Sequence, residues 1–147
     1  MIRLRRFEDS DHEIISSILH VSPEEAKRVI KEWNSCMYNG LYFEMLAVQS
    51  DNVLVGTISL YEHSHSIISL GPEIFEEYRR RGFAKAAMTE AIKMVEEKKV
   101  YRIILQQVRT TNTASIRLHE SLGFERDNNV FTNRKGNEVY FYLKAVG

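Results

Sequence analysis

Glu77-Tyr78-Arg79-Arg80-Arg81-Gly82-Phe83-Ala84-Lys85 is a basic, glycine-containing turn set between two different hydrophobic periods. Upstream, Ile67, Ile68, Leu70, Ile74 and Phe75 read as a strand that carries Gly71-Pro72 within it. Downstream, Ala84, Ala87, Met88, Ala91, Ile92 and Val95 recur at helical spacing. The predicted order is therefore strand, tight turn, helix. The first turn of a helix has backbone N–H groups without intrahelical partners, and the macrodipole adds partial positive charge there. Gly82 lets a ligand approach the backbone, Ala84 keeps the next position small, and three arginines can fork onto phosphate oxygens. The turn reads as an anion site of pyrophosphate character; the alternative is a solvated basic turn, the usual fate of a charge run.

Beyond the helix, Tyr101-Arg102-Ile103-Ile104-Leu105-Gln106-Gln107-Val108 is rich in β-formers. Strand, helix, strand implies a parallel crossover, with a ligand at the carboxyl ends of the two strands. Asn112 is placed to cap the next helix and Gly123 to end it as its C′ residue. Asn112, Ser115 and His119 then share a helix face.

These two segments carry a family resemblance. Arg79-x-x-Gly82-x-Ala84 resembles the acyl-CoA pyrophosphate loop of the GNAT N-acyltransferases, and Asn112-Thr113-Ala114-Ser115-Ile116-Arg117-Leu118-His119-Glu120-Ser121-Leu122-Gly123-Phe124 resembles their Asn-helix-Gly-Phe segment. The resemblance runs from about Leu4 to Leu143. It implies one α/β (α+β) domain over residues 1–147, with a mixed sheet of about seven strands and about four helices. A bulge at Gly71-Pro72 is expected to splay the family's fourth and fifth strands, here Ser66–Phe75 and Tyr101–Val108, for the pantetheine arm. The implied cofactor is acetyl-CoA, held by Ile74, Phe75, Glu76, Arg79, Arg80, Arg81, Gly82, Phe83, Ala84, Asn112 and Ser115. The acceptor is an amine of a small molecule, peptide or protein, and the assembly a monomer or homodimer.

Towards the N-terminus, Ile2 and Leu4 alternate with Arg3 to Arg6 as a first strand, and Asp9 or Ser10 offers a cap for a helix bearing Ile14, Ile15, Ile18 and Leu19. Ser22-Pro23-Glu24-Glu25 is a second helix start, with Ala26, Val29, Ile30 and Trp33 as its stripe and Asn39-Gly40 as its expected end. Trp33, Tyr38, Tyr42 and Phe43 either line the acceptor entrance that the resemblance places here or pack the helices onto the sheet. Phe43 to Leu60 reads as a hairpin turning at Ser50-Asp51-Asn52, with Gly56 marking a bulge or close packing. At the other end, Phe124–Phe131 and Glu138–Lys144 form a hairpin about Asn133–Asn137.

Twenty basic residues balance twenty acidic ones, giving a formal net charge of zero, which argues against nucleic acid or an anionic membrane as partner. One cysteine, Cys36, read as packing in a helical stretch, excludes an internal disulfide. No signal-like or membrane-length apolar run is present, so the expectation is a cytoplasmic protein. His63 and His65 lack further ligands for a tetrahedral set, and no metal is expected.

Acyl transfer from a thioester needs a neutral amine, a polarised carbonyl and a proton for the leaving thiolate. A lysine-like amine costs about 4–5 kcal/mol to deprotonate at pH 7. Where many relatives carry a tyrosine acid, this chain has His119, which reads as a general acid or as a surface histidine. Where some carry a glutamate base, this chain has Gln107. Glu73, with Glu62 behind it, is the remaining carboxylate candidate, against the commoner fate of a solvated glutamate. With those catalytic positions changed, the second function class is a non-catalytic acyl-CoA-binding module for sensing or regulation.

Overall fold

A computed structural model describes residues 1–147. The elements are β1 Ile2–Arg5, α1 His12–Leu19, α2 Pro23–Trp33, β2 Met37–Tyr38, β3 Leu41–Ser50, β4 Val53–Ser64 and β5 Ile67–Ile74, then α3 Phe83–Lys98, β6 Ile103–Arg109, α4 Thr113–Ser121, β7 Glu125–Arg126, β8 Phe131–Thr132 and β9 Glu138–Ala145. One mixed sheet runs in the order β1-β3-β4-β5-β6-β9-β7, with β2 beside β3 and β8 beside β9. Seven strands on the main path and four α-helices agree with the expected architecture.

Side chains alternate along each strand and so divide between two faces. Ile58 and Leu60 of β4, Ile68, Leu70 and Ile74 of β5 and Ile104 and Val108 of β6 join Ala87, Met88, Ala91, Ile92 and Val95 of α3 in the larger core. The opposite face is covered at one end only, where Phe7, Ile15, Ala26, Ile30, Ala47 and Leu54 seat α1 and α2. Trp33 belongs to that packing, its ring 5.0 Å from Phe7. The rest of this face, over β5, β6 and β9, has no helix above it.

Local chemistry explains most boundaries. Pro23 opens α2 and the Ser22 hydroxyl accepts from the Glu25 N–H at 3.1 Å. The end of α2 differs from expectation: the helix stops at Trp33, and Asn39-Gly40 is instead the two-residue turn between β2 and β3, both residues having positive φ as a type I′ hairpin requires. Cys36 accordingly lies in a connection rather than a helix, at φ 60°, with its thiol 3.6 Å from the Asn34 carbonyl.

The expected bulge is also displaced. Register is continuous through Ser59↔Gly71 and Ile58↔Pro72, and the irregularities fall between Val48 and Gln49, opposite Val55, and at His63, between Glu62 and Ser64. Pro72 is tolerated because Leu70 points its N–H and carbonyl toward β6, where both meet the Gln106 side chain. Two residues on, Pro72 faces the same way, so its missing N–H breaks no bond to β4. Gly56 meets its expectation in both senses. It follows the Val55 bulge, and a Cβ there would sit 2.4 Å from the Glu73 carbonyl oxygen.

Candidate active site

The parallel pairing of β5 with β6 covers only Ile67↔Ile103 and Ile68↔Ile104. Beyond it the strands diverge, and a side chain replaces the missing ladder rung. Gln106, 5% exposed, accepts the Leu70 N–H at 2.8 Å on Oε1 and donates from Nε2 to the Leu70 carbonyl at 2.7 Å. Nearby, the Ser69 hydroxyl donates to the Leu105 carbonyl across the same gap. The splay is therefore held open with its buried backbone groups satisfied.

On the α3/α4 face, a cleft of about 410 Å³ reaches from Pro72 and Ile74 past Tyr78, Arg79, Arg80, Gly82, Phe83 and Ala84 to Asn112 and Ser115. At its floor is the N-terminus of α3, sixteen residues long, with no side-chain cap and no acidic residue in its first turn. Ala86 is the first amide to find a carbonyl of this turn, that of Gly82 at 3.1 Å, which leaves the preceding amides without helical partners. Gly82 holds φ +79°, and a Cβ added there would meet nothing within 4 Å, so the turn is open toward the cleft. Arg80 also has positive φ, and Arg81 lies 5.8 Å from the Tyr78 ring centroid. Opposite, Asn112 caps α4 by accepting the Ser115 N–H at 3.0 Å. Gly123 ends the helix at φ +82°, its N–H reaching the Glu120 carbonyl.

Not all expected cofactor residues converge. Ile74, Arg79, Arg80, Gly82, Phe83, Ala84, Asn112 and Ser115 line the cleft. Phe75, Glu76 and Arg81 do not: Arg81 is exposed beside the Tyr78 ring, while Phe75 and Glu76 border a separate groove with Ser17 and Ile18 of α1 and His20 at its end, and the Phe75 N–H is spent on the Val55 carbonyl at 2.9 Å. Arg79 also differs from a free phosphate ligand, since its Nε donates to the Ile74 carbonyl at 2.9 Å.

A larger cavity of about 790 Å³ meets this cleft at Pro72, Ser115 and Leu118, and extends through the splay onto the open sheet face. Its walls include Tyr61 and His63 of β4, Ser69 and Gly71 of β5, Leu105 and Gln107 of β6, Phe141 of β9, Phe131 of β8, and the Asn133–Lys135 turn. A file of rings approaches it, Tyr38 to Phe43 at 6.1 Å, Phe43 to Tyr61 at 6.5 Å and Tyr61 to His63 at 5.1 Å. Tyr38 and Phe43 thus line the approach with Tyr42 beside them, whose ring also lies beneath the Lys98 ammonium, 4.6 Å from its centroid.

The structure places the two catalytic candidates differently. His119 is not a surface histidine: it is 4% exposed, between Phe124 and Tyr142, on the wall of the larger cavity. Its Nδ1 lies 2.7 Å from the Ser115 carbonyl, which can only accept, so Nδ1 carries the proton. Nε2 then accepts from Gln106 Nε2 at 3.3 Å. Burial pushes the imidazole below its ordinary range, partly offset by the Ser115 carbonyl, so both nitrogens of the neutral ring are engaged internally. Glu73 lies outside both cavities. It is exposed, paired with Arg79 at 3.3 Å, and sits in the α1 groove. Glu62 accepts from the Tyr101 hydroxyl at 2.9 Å, and burial together with that carboxylate raises the phenol.

Sequence reasoning weighed His63 only as a metal ligand and gave it no catalytic part. The Ser69 hydroxyl has one proton, and it goes to the Leu105 carbonyl, so Ser69 Oγ accepts from His63 Nε2 at 2.6 Å. In the neutral ring Nδ1 is then the unprotonated nitrogen, and His63 borders the cavity. The only sequence signal was alternation, which puts His63 and Tyr61 on one face of a strand longer than the pattern suggested.

The arrangement has close counterparts among known proteins. A profile described as the Acetyltransferase (GNAT) family matches residues 4–124. An uncharacterized N-acetyltransferase, YokL, derived from the SPbeta prophage of Bacillus subtilis strain 168, is 29% identical over 123 residues, covering 82% of this chain and 70% of the relative. The fold matches that of RimL, a ribosomal L7/L12 α-N-protein acetyltransferase solved in complex with coenzyme A, with TM-score 0.84 at 13% identity over 99% of this chain and 94% of that one. A GNAT-family acetyltransferase from Streptococcus pneumoniae superimposes with TM-score 0.72 at 17% identity over the whole of both chains. With the profile spanning most of its length and the motif residues gathered at one splayed cleft, the chain belongs to the GNAT family, the acetyl-CoA-dependent N-acetyltransferases.

Proposed function

We propose that the cleft beside α3 holds acetyl-CoA, that the cavity on the open sheet face receives the acceptor amine, and that acetyl transfer takes place where the two meet. The observation that carries this reading is that the two spaces adjoin, with Pro72, Ser115 and Leu118 lining both. The cofactor fits the residues present: an uncapped helix terminus with no acidic residue in its first turn, an open glycine and exposed guanidinium groups form a cradle for a pyrophosphate. Alternation along β5 turns the Pro72 carbonyl and the Ile74 N–H toward the cleft, one acceptor and one donor for an amide-bearing arm. When bound, acetyl-CoA supplies an acyl group activated as a thioester.

Each protein group then has a distinct task. The amides of the α3 turn, with Arg80 and Arg81, bind phosphate, while Arg79 fixes the end of β5 by holding the Ile74 carbonyl and Glu73. His63 takes the amine proton on Nδ1, and Ser69 and the Leu105 carbonyl keep its ring in the tautomer that can do so. His119 acts by position: its contact with Gln106 ties α4 to the splay, and its contact with the Ser115 carbonyl of its own helix fixes the ring. Ser115 borders both spaces, and its hydroxyl is a side-chain donor available where they adjoin. A protein with one free thiol and an acetyl-CoA site is suited to the cytoplasm.

The test is the unfolding temperature with and without acetyl-CoA, for the wild type and an Arg81→Glu/Gly82→Asp variant. A ligand at a hundred times its dissociation constant adds about 2.7 kcal/mol of stability. The shift should appear in the wild type and vanish in the variant, and free adenosine nucleotides should give less. A folded wild type that ignores acetyl-CoA at all concentrations defeats the assignment. Tight binding without amine-dependent thiol release would favour the non-catalytic module.

A further inference from the structure

The spaces on the α1/α2 side of the sheet differ in sign. The groove against α1 carries Glu73, Glu76 and Glu77 around Arg79 and His20, and the aromatic groove is edged by Glu62. The 790 Å³ cavity between β5, β6 and β9 has nineteen lining residues without one carboxylate, in a chain that holds twenty. Its charged wall is Arg134 and Lys135. Neither takes part in an ion pair, all of which use other cations.

Their turn has a defined shape. Asn133 Oδ1 accepts from the Lys135 and Asn137 amides at 3.0 Å each, the Asn133 N–H reaches the Asn137 carbonyl at 2.9 Å, and Gly136 supplies φ +83°. Asn133 Nδ2 also reaches Gln107 Oε1 at 3.4 Å, which ties the turn to the sheet beneath. Two unpaired cations are thereby held at the mouth of a space whose remaining polar groups are amides, hydroxyls and imidazoles.

We propose that the acceptor is a primary amine carrying a carboxylate or phosphate group, bound by Arg134 and Lys135 while its amine points to the splay. This rests on the acetyl-transfer reading above and specifies its substrate class. A polycationic acceptor would lose water here without gaining a counter-charge, whereas an anion gains hydrogen bonds from charged donors.

Binding and transfer are measured separately. N-acetylated tripeptides Ala-Asp-Asp, Ala-Ala-Ala and Ala-Lys-Lys, with amidated ends, are titrated against the protein while the side-chain amide signals of Asn133 and Gln107 are followed by NMR. The acidic peptide should bind at least about tenfold tighter than the basic one, and salt near 0.5 M should shrink the difference. An Arg134→Ala/Lys135→Ala variant, altered only on an exposed turn, should lose the preference. Equal affinities, or a preference that survives in the variant, overturn the inference.

The free-amine peptides are then compared with aspartate and O-phosphoserine for acetyl-CoA-dependent thiol release, where faster turnover of the peptides or of the small acids identifies the source of the anionic group. The expected order is acidic above basic within the peptide set, and the reverse order overturns the inference. A failed acetyl-CoA stability shift would remove the transfer reading alone, because the charge preference in peptide binding is read without it.

Discussion

On the α3/α4 side of the splay, the ligand-facing groups come from one local stretch, Arg79 to Ala84, and they are mostly backbone amides exposed by the start of a helix. Across the sheet, the cavity is assembled from β4, β5, β6, β8, β9 and the Asn133–Lys135 turn, and its chemistry lies in side chains. The first site follows from a chain direction and a glycine. The second follows from strand register. A local site tolerates change elsewhere in the molecule, whereas a register-built site depends on each pairing that places its walls.

That contrast is sharpest at His63, whose placement depends on a bulge in β4 and whose tautomer depends on Ser69. Replacement by glutamine keeps a donor for Ser69 but removes the proton acceptor. His63→Gln should lower kcat by about 10²–10⁴ at neutral pH while leaving acetyl-CoA binding intact, and the deficit should narrow as rising pH deprotonates more of the amine in solution. Wild-type kcat in the variant would return the proton to bulk water and leave the open face without a base.

The strut between the two sides can be broken directly. Gln106→Leu preserves volume but orphans the Leu70 N–H and carbonyl and withdraws the donor to His119 Nε2. The expected loss is on the order of 3 kcal/mol in chemical denaturation, since buried unsatisfied groups cost about 1–3 kcal/mol each. A loss below about 0.5 kcal/mol would mean that water or a relaxed β5–β6 ladder takes over the rung.

The smallest effect concerns pH. Burial lowers the pKa of His119 in the folded state, so on acidification the unfolded chain binds this proton first. Its contribution to stability is therefore complete above the ordinary imidazole range near 6.5 and declines as pH falls below it, with a slope of at most one proton. Subtracting the stability profile of His119→Gln from that of the wild type should isolate this slope; parallel profiles would show that His119 titrates normally.

Legibility followed the same division. The α3 turn, the Asn112 cap and the Gly123 end are fixed by neighbours within a few residues, and each lies where the pattern put it. Asn39-Gly40 was misassigned because the dipeptide signals a turn without saying what it joins, and the two-residue β2 is too short to show alternation. The expected bulge at Gly71-Pro72 followed from proline's missing donor, but the direction that donor would face is set by pairing with β4, which is nonlocal. Whether His119 was an acid or a surface residue stayed open in the sequence because its buried partners, Gln106, Phe124 and Tyr142, come from separate elements. Glu73 was close to the cleft in sequence, but strand alternation and Arg79 take its carboxylate elsewhere.

An open cleft between two strands is also an exposed strand edge, the kind of feature that invites a strand from another chain and begins aggregation. Here β5 offers such an intruder little. Leu70 is already occupied by Gln106, Pro72 has no amide hydrogen to give, and the Ile74 carbonyl belongs to Arg79. The gap proposed for the pantetheine arm is thus a poor template for a neighbouring protein, and the same proline that accommodates the splay protects the molecule from sticking to copies of itself.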